Sequence, residues 1–502
     1  MKSRIKYSII NSSTTMIIYI LKILIGFVAR SLFIKFLGAE YLGLNGLMVN
    51  LLNFLSLAEL GIGASIVYEL YAPLAKKDES AIIALMQFYR KAYKVIALIV
   101  AVLGLSMMPF LHLMIHGGTS ISNIKEIFLL FLTNSVMSYL FTYKRSILYA
   151  DQKNYVVTIS DFLFYVILTI FQLYVLLHTK NYILYLILQI LFTLLSNLCI
   201  SKIVEKKYPY LNNKITEKLP QSNVISLKKN VIGNIASQVG TVIVLGSDNV
   251  LISGFVGLTA VGLYSNYTLI INAIQSMLQQ VTSSVTATVG NTITDNDKEK
   301  DYSVFKFYLF IVSSIGFISS LCIYVFINPF ITIWLGKNFL LKSDVVVLIT
   351  INYAFFVYRL TTQTFISAYG LFWQQRWKAI IESFLNVLFS VIFLKVFYLG
   401  ISGVLLGTLL STLMVISWYE PYVVFKYGFQ RSIFEFAKST VIFYLKLFFC
   451  IFILSRLSNY LVINSVMDFL KIFIIYFPII LVSYSILFWK SIRKFMRFNT
   501  SI

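Results

Sequence analysis

From residue 12 to residue 489 the chain alternates long apolar runs with short polar turns. Runs of about 20 apolar residues are long enough to cross a hydrocarbon core as helices. Fourteen spans are predicted, at 12–37, 41–71, 88–115, 124–149, 155–178, 181–204, 229–257, 260–290, 304–334, 341–370, 375–397, 400–425, 438–460 and 466–489. The widest polar connection, 205–228, opens with Glu205-Lys-Lys-Tyr-Pro209 and lies between spans six and seven. The expected organisation is an N-terminal helical bundle at 1–204, a cytoplasmic linker at 205–228, a second bundle at 229–437, and two added spans with a basic tail at 438–502. The fold class is an all-α polytopic membrane protein, two parallel six-helix repeats plus two C-terminal helices.

A repeated stretch supports the two halves. Phe36-Leu-Gly-Ala-Glu-Tyr-Leu-Gly-Leu44 returns 219 positions later as Phe255-Val-Gly-Leu-Thr-Ala-Val-Gly-Leu263. The same offset pairs Asn11 with Asn230, Leu32 with Leu251 and Asn53 with Asn272. A Gly-x-x-x-x-Gly turn lets two helices reverse with little loop, because Gly accepts positive φ and permits close backbone approach. Two independent hairpins of similar chemistry are the plainer alternative. Six spans separate the copies, so both run the same way through the membrane, as parallel repeats about an axis along the membrane normal.

Composition agrees with the pattern. Hydrophobic residues make up 59% of 502 positions, charged ones 12%, and mean hydropathy is +0.83. A soluble chain of this length could not bury so much apolar surface. The net charge of +22 would suggest nucleic acid in a soluble protein, but topology accounts for it. With the N-terminus in the cytoplasm, 30 of the 42 Lys and Arg fall on inner segments and 7 on the outer side. That asymmetry predicts cytoplasmic N- and C-termini in the cell membrane and a basic inner face toward anionic lipid, with no nucleic-acid partner. Met1-Lys-Ser-Arg-Ile-Lys-Tyr7 leads into a long span without a small-residue cleavage site, and reads as a retained first span.

Sites for chemistry are few. Cys199, Cys322 and Cys450 all sit in apolar runs, with no disulfide framework. Asp295-Asn-Asp297 resembles a metal-holding D-x-D but lies in a mixed-charge turn. His112 and His116 have the i, i+4 spacing of metal ligands on one helix face, with no third ligand nearby. No phosphate-binding Gly-rich loop and no nucleophile–base set is present, so neither an enzyme nor a resident cofactor is expected.

Charge within the spans is costly, and so is a functional signal by default. Lys22 and Arg30 fall in span one, Glu59 in span two, Asp161 in five, Asp248 in seven, Arg359 in ten and Glu382 in eleven. Lys35, Glu69 and Glu420 are placed near helix ends, where side chains reach headgroups. The 219 offset pairs Arg30 with Asn249 and Ala29 with Asp248, so Arg30 and Asp248 sit at similar depth in related helices. A structural ion pair is the alternative to a binding role. Span eight adds Thr268, Asn272, Gln275, Gln279, Thr282 and Thr286, whose steps of four and three keep them on one helix face. Asn53 and Ser56 in span two are a shorter counterpart. Such a row lines a wet cavity or bonds to neighbouring helices. Cations with several amides suit a diphosphate bearing sugars better than an organic cation.

Phe36-Leu-Gly-Ala-Glu-Tyr-Leu-Gly-Leu-Asn-Gly46, Leu60-Gly-Ile-Gly-Ala-Ser65, Tyr71-Ala-Pro-Leu-Ala-Lys-Lys77 and Asp248-Asn-Val-Leu-Ile-Ser253 resemble Wzx-type oligosaccharide flippases. These belong to the multidrug/oligosaccharidyl-lipid/polysaccharide exporter superfamily, and Phe255-Val-Gly257 with Val261-Gly-Leu-Tyr-Ser-Asn266 fits its pattern too. The layout matches over the whole chain, the specific motifs mainly in spans one, two and seven. The resemblance implies two bundles in alternating access, moving undecaprenyl-diphosphate-linked oligosaccharide to the outer leaflet for capsule, exopolysaccharide or O-antigen synthesis. It implies cationic cavity residues, onto which Arg30 maps, and coupling to a proton or sodium gradient. Implied partners are the lipid-linked cargo, membrane lipids, and the polysaccharide polymerase and glycosyltransferases of the same pathway. The candidate binding set is Arg30, Asp248, Asn53, Asn272, Gln275, Gln279, Arg359, Lys22 and Glu59. The alternatives are a multidrug or toxin cation antiporter, whose cavity should be dominated by acids, and a lipid II flippase. A membrane polymerase or ligase would need a larger outer surface than these short loops provide.

Overall fold

The computed structural model describes residues 2–59, 62–117, 119–213, 246–293, 297–371, 373–458 and 465–499. The chain is an all-α polytopic membrane protein, with no strand among the described residues. It forms two compact units, Met1–Gly262 and Leu263–Ile502.

The first unit holds α1 (Lys2–Leu55), α2 (Ile62–Lys76), α3 (Glu79–Met107), α4 (Ile124–Thr142), α5 (Arg145–Ala150), α6 (Asn154–Thr179), α7 (Tyr182–Lys207) and α8 (246–255). Helix α9 (Leu258–Ile293) begins in it and continues into the second unit. There follow α10 (Lys298–Leu335), α11 (Ser343–Tyr369), α12 (Lys378–Lys395), α13 (Ile401–Ser411), α14 (Ser417–Val423), α15 (Phe434–Ser458), α16 (Val466–Leu487) and α17 (Trp489–Asn499). Short polar caps start several helices, so the turns between them need few residues. Asp78 accepts from Ala81 N at 3.0 Å at the start of α3. Asn181 accepts from Ile183 N and Leu184 N at the start of α7, and Asp297 from Glu299 N and Lys300 N at α10. Ser465 and Asp468 cap α16 reciprocally.

Eleven helical segments among the described residues are long and apolar enough to cross a membrane. One of them, Ser13–Leu55, holds the first predicted span and about half of the second, because helical geometry resumes directly after a break at Gly38 (φ 86°, ψ 175°). The second predicted span itself stops at Leu55, gives way to a tight 3-10 turn at Ser56–Glu59, and is followed by α2. Ser56 Oγ donates to Asn53 O at 2.7 Å, a local bond that competes with helix continuation. Span three starts earlier than expected, at Glu79, so Arg90, Lys91 and Lys94 lie about three to four turns into the helix and not at its start. Span four is divided into α4 and α5. Span twelve runs on to Phe429 through two wide-turn segments, Thr412–Ile416 and Val424–Phe429. Span seven lies largely outside the described residues. Helix α9 is not among the eleven, since its polar row dilutes its apolar character.

The repeated stretch marks a close crossing within the first unit. Gly38 and Gly257 (φ 125°) both take positive φ, each ending one helix just before the next begins. Gly43 lies against the Leu258 carbonyl and Gly262 against the Ala39 carbonyl, so tightly that a Cβ at either would overlap the oxygen. Ala39 and Leu258, like Gly43 and Gly262, are equivalent at the 219-residue offset. The contact is therefore reciprocal, as at a two-fold axis, and the two turns lie side by side. Gly246 against Phe54 and Gly46 against Asn249 carry the packing of α8 along the second part of α1. This packing gathers residues 246–262 into the first unit. Of the expected linker, 205–207 finishes α7 and Pro209–Asn212 forms a 3-10 turn, while 214–228 lies outside the described residues.

In the second unit α11 packs against α10, α13 and α14. It buries Val345, Ile349, Ala354, Val357 and Phe365, together with Thr350, Thr361 and Thr362. Phe305 meets Phe365 at 5.1 Å and Phe429 at 5.2 Å between ring centroids, both edge-on. Each such pair contributes about 0.5–1.5 kcal/mol beyond its buried area.

Candidate functional site

In the first unit the site residues start on α1. Lys22, Gly26 and Arg30 follow one another at steps of four and so share a helix face. Lys22 Nζ stands 5.6 Å from the centroid of the Tyr165 ring on α6. A Cβ on Gly26 would meet the Tyr165 hydroxyl at 3.8 Å, so Tyr165 of α6 stands beside this face between the two cations. Both Lys22 and Arg30 are half-buried. The next turns of α1 are held firmly: Phe33 packs edge-on to Tyr182 and Tyr185 at 5.7 and 5.6 Å, and the Tyr182 hydroxyl donates to Asn45 Oδ1 at 3.3 Å. Asp248 is half-buried on α8. Arg30 lies eight residues before Gly38 and Asp248 nine before Gly257, which places each roughly 12–14 Å of helix below its turn.

Glu59 is half-buried and accepts from the Tyr93 hydroxyl at 3.0 Å; Tyr93 in turn stacks on Tyr139. Asn53 is exposed. At the turn itself Glu40 accepts from Thr119 Oγ1 (2.5 Å), Ser120 N (3.0 Å) and Ser120 Oγ (2.5 Å), tying the first turn to the segment after α3.

In the second unit, Asn272 and Gln279 on α9 are exposed and Gln275 is half-buried. The flanking hydroxyls turn back on their own helix, Thr268 to Ser265 O and Thr282 to Gln279 O, and the Thr286 side chain is outside the described set. Arg359 is placed otherwise than expected. It donates to Glu420 through Nη2 (2.8 Å) and Nε (3.3 Å), and Lys378 Nζ reaches the same carboxylate at 2.5 Å. Glu420 is completely buried, and Glu382 is buried too. A cavity of about 20 Å³, room for about one water, lies beside Arg359, Glu420, Thr362 and Ser417. Arg359 is thus a member of a buried ionic cluster, and Glu420 is its anchor, not a headgroup-facing residue at a helix end.

Other charges are also committed inside the protein. Arg145 donates to Asp161 Oδ2 (2.6 Å) and Asn197 Oδ1 (2.8 Å), and Ser196 Oγ to Asp161 Oδ1 (3.0 Å). Lys144 pairs with Glu205, and Lys153 with Asp151, which also accepts from the Tyr208 hydroxyl at 2.5 Å. Part of the basic surplus on the inner segments therefore ties α5, α6 and α7 together and is not all lipid anchor. Asp297 caps α10, while Asp295 lies outside the described residues. His112 and His116 do not share a helix face: the 3-10 turn ends at Met114, Ile115 is extended, and His112 Nδ1 sits 2.8 Å from Pro109 O. None of the buried pairs was foreseen, since their partners come from different spans. An acid in the otherwise acid-free run 401–429 is the one signal that pointed to Glu420.

No family model and no curated protein matches the chain. Solved structures do. A lipid II flippase, MurJ, in an inward closed conformation is similar at TM-score 0.65 and 17% identity, over 95% of this chain and 99% of that one. An inward-facing multidrug resistance MATE family transporter of the MOP superfamily follows at TM-score 0.62 and 13% identity, over 82% and 98%. A MOP superfamily transporter from Pyrococcus furiosus, described as having a binding pocket of reverse polarity that suggests a different function, aligns at TM-score 0.55 and 14% identity, over 85% and 97%. At these identities the likeness establishes the fold, which is that of MOP superfamily transporters.

Proposed function

We propose that this chain is a flippase that carries undecaprenyl-diphosphate-linked oligosaccharide from the inner to the outer leaflet by alternating access. Its fold is shared with transporters that move very different cargo, so the reading rests on chemistry. The observation that carries it is the row Lys22, Gly26, Arg30: two half-buried cations on one face of α1, with only glycine between them and Tyr165 alongside. A guanidinium stays charged when partly desolvated and grips phosphate oxygens in a fork, and an ammonium adds a second point charge. The amides of Asn272, Gln275 and Gln279 are suited to sugar hydroxyls. Asp248, at similar distance from its turn as Arg30, is assigned to compete with phosphate for Arg30 and so to speed release. A carrier that holds one state too tightly stops cycling. A proton or sodium gradient is assigned to drive the cycle, and a polymerase and glycosyltransferases to act after and before it.

The cation antiporter is disfavoured by Glu420, the most buried acid among the described residues of the second unit, which two cations already neutralise. The test is transfer of a lipid-linked oligosaccharide across vesicles at matched protein levels. Arg30→Ala should abolish transfer, Arg30→Lys should retain part of it, and Asp248→Asn should slow turnover with binding intact or tighter. Full transfer by Arg30→Ala refutes the assignment of Arg30. Efflux of organic cations by the unaltered protein, with no lipid transfer, refutes the flippase.

A further inference from the structure

A second polar recess lies in the second unit, lined by none of the residues assigned to cargo. Helices α10, α15 and α17 enclose a groove of about 500 Å³. Its walls are aromatic: Phe307 and Phe310 on α10, Phe443 on α15, Phe488 and Phe495 at and within α17. Phe495 stacks on Phe307 at 4.8 Å and packs on Phe310 at 4.6 Å, which fixes α17 against α10. Into this apolar setting open two ammonium groups, Lys306 and Lys446, and the hydroxyls of Ser303, Ser313, Ser439 and Ser491.

Lys446 is held in place. It lies in the middle of the membrane-spanning α15, half-buried, and Nζ donates to Leu487 O at 2.6 Å while standing 4.2 Å from the Phe488 ring centroid. The carbonyl is at the C-terminal end of α16, where a cation is favoured. One of three ammonium protons is used there, and the others are available to the groove. Lys306 stands 4.5 Å over the Tyr302 ring. The one acid in the lining, Glu435, already accepts from the Tyr302 hydroxyl at 3.1 Å.

Helix α17 says at what level of a bilayer this recess lies. Trp489, Ile492 and Phe495 recur at helical spacing, with Lys490 and Arg493 between them, and the Arg493 guanidinium stands 5.2 Å over the Trp489 ring. A short helix with an apolar stripe and a basic one lies in the plane of the headgroups. The groove therefore opens at headgroup depth beside α17, and Lys446, rooted in the middle of α15, extends its long side chain to that level, reaching the carbonyl of Leu487 just before α17.

We propose that this groove is a binding site for an anionic glycerophospholipid of the leaflet on which α17 lies. Its phosphodiester is taken by Lys446 and Lys306 with the serine hydroxyls, and its acyl chains lie along Phe307, Phe310 and Phe443. The site is distinct from the α1 face, and does not depend on what the protein transports.

The experiment uses the full chain in detergent, titrated with phosphatidylglycerol or with phosphatidylcholine of the same acyl chains, bound lipid being counted by native mass spectrometry. Phosphatidylcholine has the same phosphodiester but would set a trimethylammonium beside Lys306 and Lys446, so phosphatidylglycerol, with a neutral glycerol there, should bind about tenfold more tightly. Lys446→Met keeps the stem and removes the charge, and should abolish that preference; Lys446→Arg should keep it. Because Lys446→Met also removes a tie to α16, Ser491→Phe provides an independent variant that fills the groove with both lysines intact, and it too should abolish the preference. Equal binding of the two lipids to the unaltered chain overturns the proposal, as does an unchanged preference in Ser491→Phe. Displacement of bound phosphatidylglycerol by a polyprenyl diphosphate at equal concentration would assign the groove to cargo, and so overturn it as well.

Discussion

Replacing Glu420 by Gln should be among the most damaging single changes in the second unit. Glu420 has no exposed surface, and its carboxylate holds Arg359 at 2.8 and 3.3 Å and Lys378 at 2.5 Å. Gln keeps the shape but leaves a guanidinium and an ammonium around a neutral amide. Removing one partner of a buried ion pair costs about 3–5 kcal/mol, because the remaining charge stays desolvated. For a unit of this size that lowers the thermal midpoint by roughly 6–20 °C. Lys378→Met should cost less, roughly 1.5–3 kcal/mol, since Arg359 still satisfies the carboxylate. Arg359→Met with Glu420→Gln should recover part of the loss, because only Lys378 is then left unpaired. Melting of the purified chain in detergent, followed by intrinsic fluorescence, closes the cycle, and the pair should couple by about 2 kcal/mol or more. A Glu420→Gln midpoint within about 1 °C of the parent would refute the reasoning, and so would strict additivity of the two changes.

Gly43→Ala and Gly262→Ala should each destabilise by about 1–3 kcal/mol through overpacking against a facing carbonyl, whereas Gly26→Ala, whose Cβ would meet only the Tyr165 hydroxyl at 3.8 Å, should be nearly neutral. Equal melting of all three variants would show that the reciprocal crossing is not tight. For orientation, single cysteines at Thr259 and Gly400 should react with an impermeant thiol reagent added outside intact cells, and one at Asp78 should not. Labelling at Asp78 from outside would reverse the topology.

The repeated stretch was readable because its chemistry is local and doubled. Positive φ at Gly38 and Gly257, and close approach at Gly43 and Gly262, each require the residue without a Cβ, so the need is written into the sequence twice at one offset. Apolar length foretold the long helices, eleven of which among the described residues can cross a membrane, yet span ends did not follow from it. Asn53 and Ser56 end α1 early through a hydrogen bond that hydropathy does not register. The wide turns of Thr412–Ile416 and Val424–Phe429 carry the helical run beyond its predicted end. That extension explains why Glu420 was misplaced. With the span ending at 425 it stood about one turn from water, whereas in the structure it is wholly enclosed.

The ionic clusters share a different reason for being illegible. Arg359, Lys378 and Glu420 come from three helices, and Arg145, Asp161 and Asn197 from three more. No spacing within one segment records such a meeting, and one sequence carries no trace of which charges vary together. Charge inside a span is costly whether it serves binding or packing, so cost alone does not separate Arg30 from Arg359. The surroundings do. Arg359 is gripped by a buried carboxylate that a second cation shares, so a phosphate entering there would have to displace an acid that is completely buried. Lys22 and Arg30 line a face whose central residue is glycine, with a tyrosine opposite. A binding surface needs charge that is desolvated enough to be strong and uncommitted enough to exchange partners. Arg359 fails the second condition, because its guanidinium is committed to Glu420, and the proposed phosphate site is placed instead on the Lys22–Arg30 face of α1.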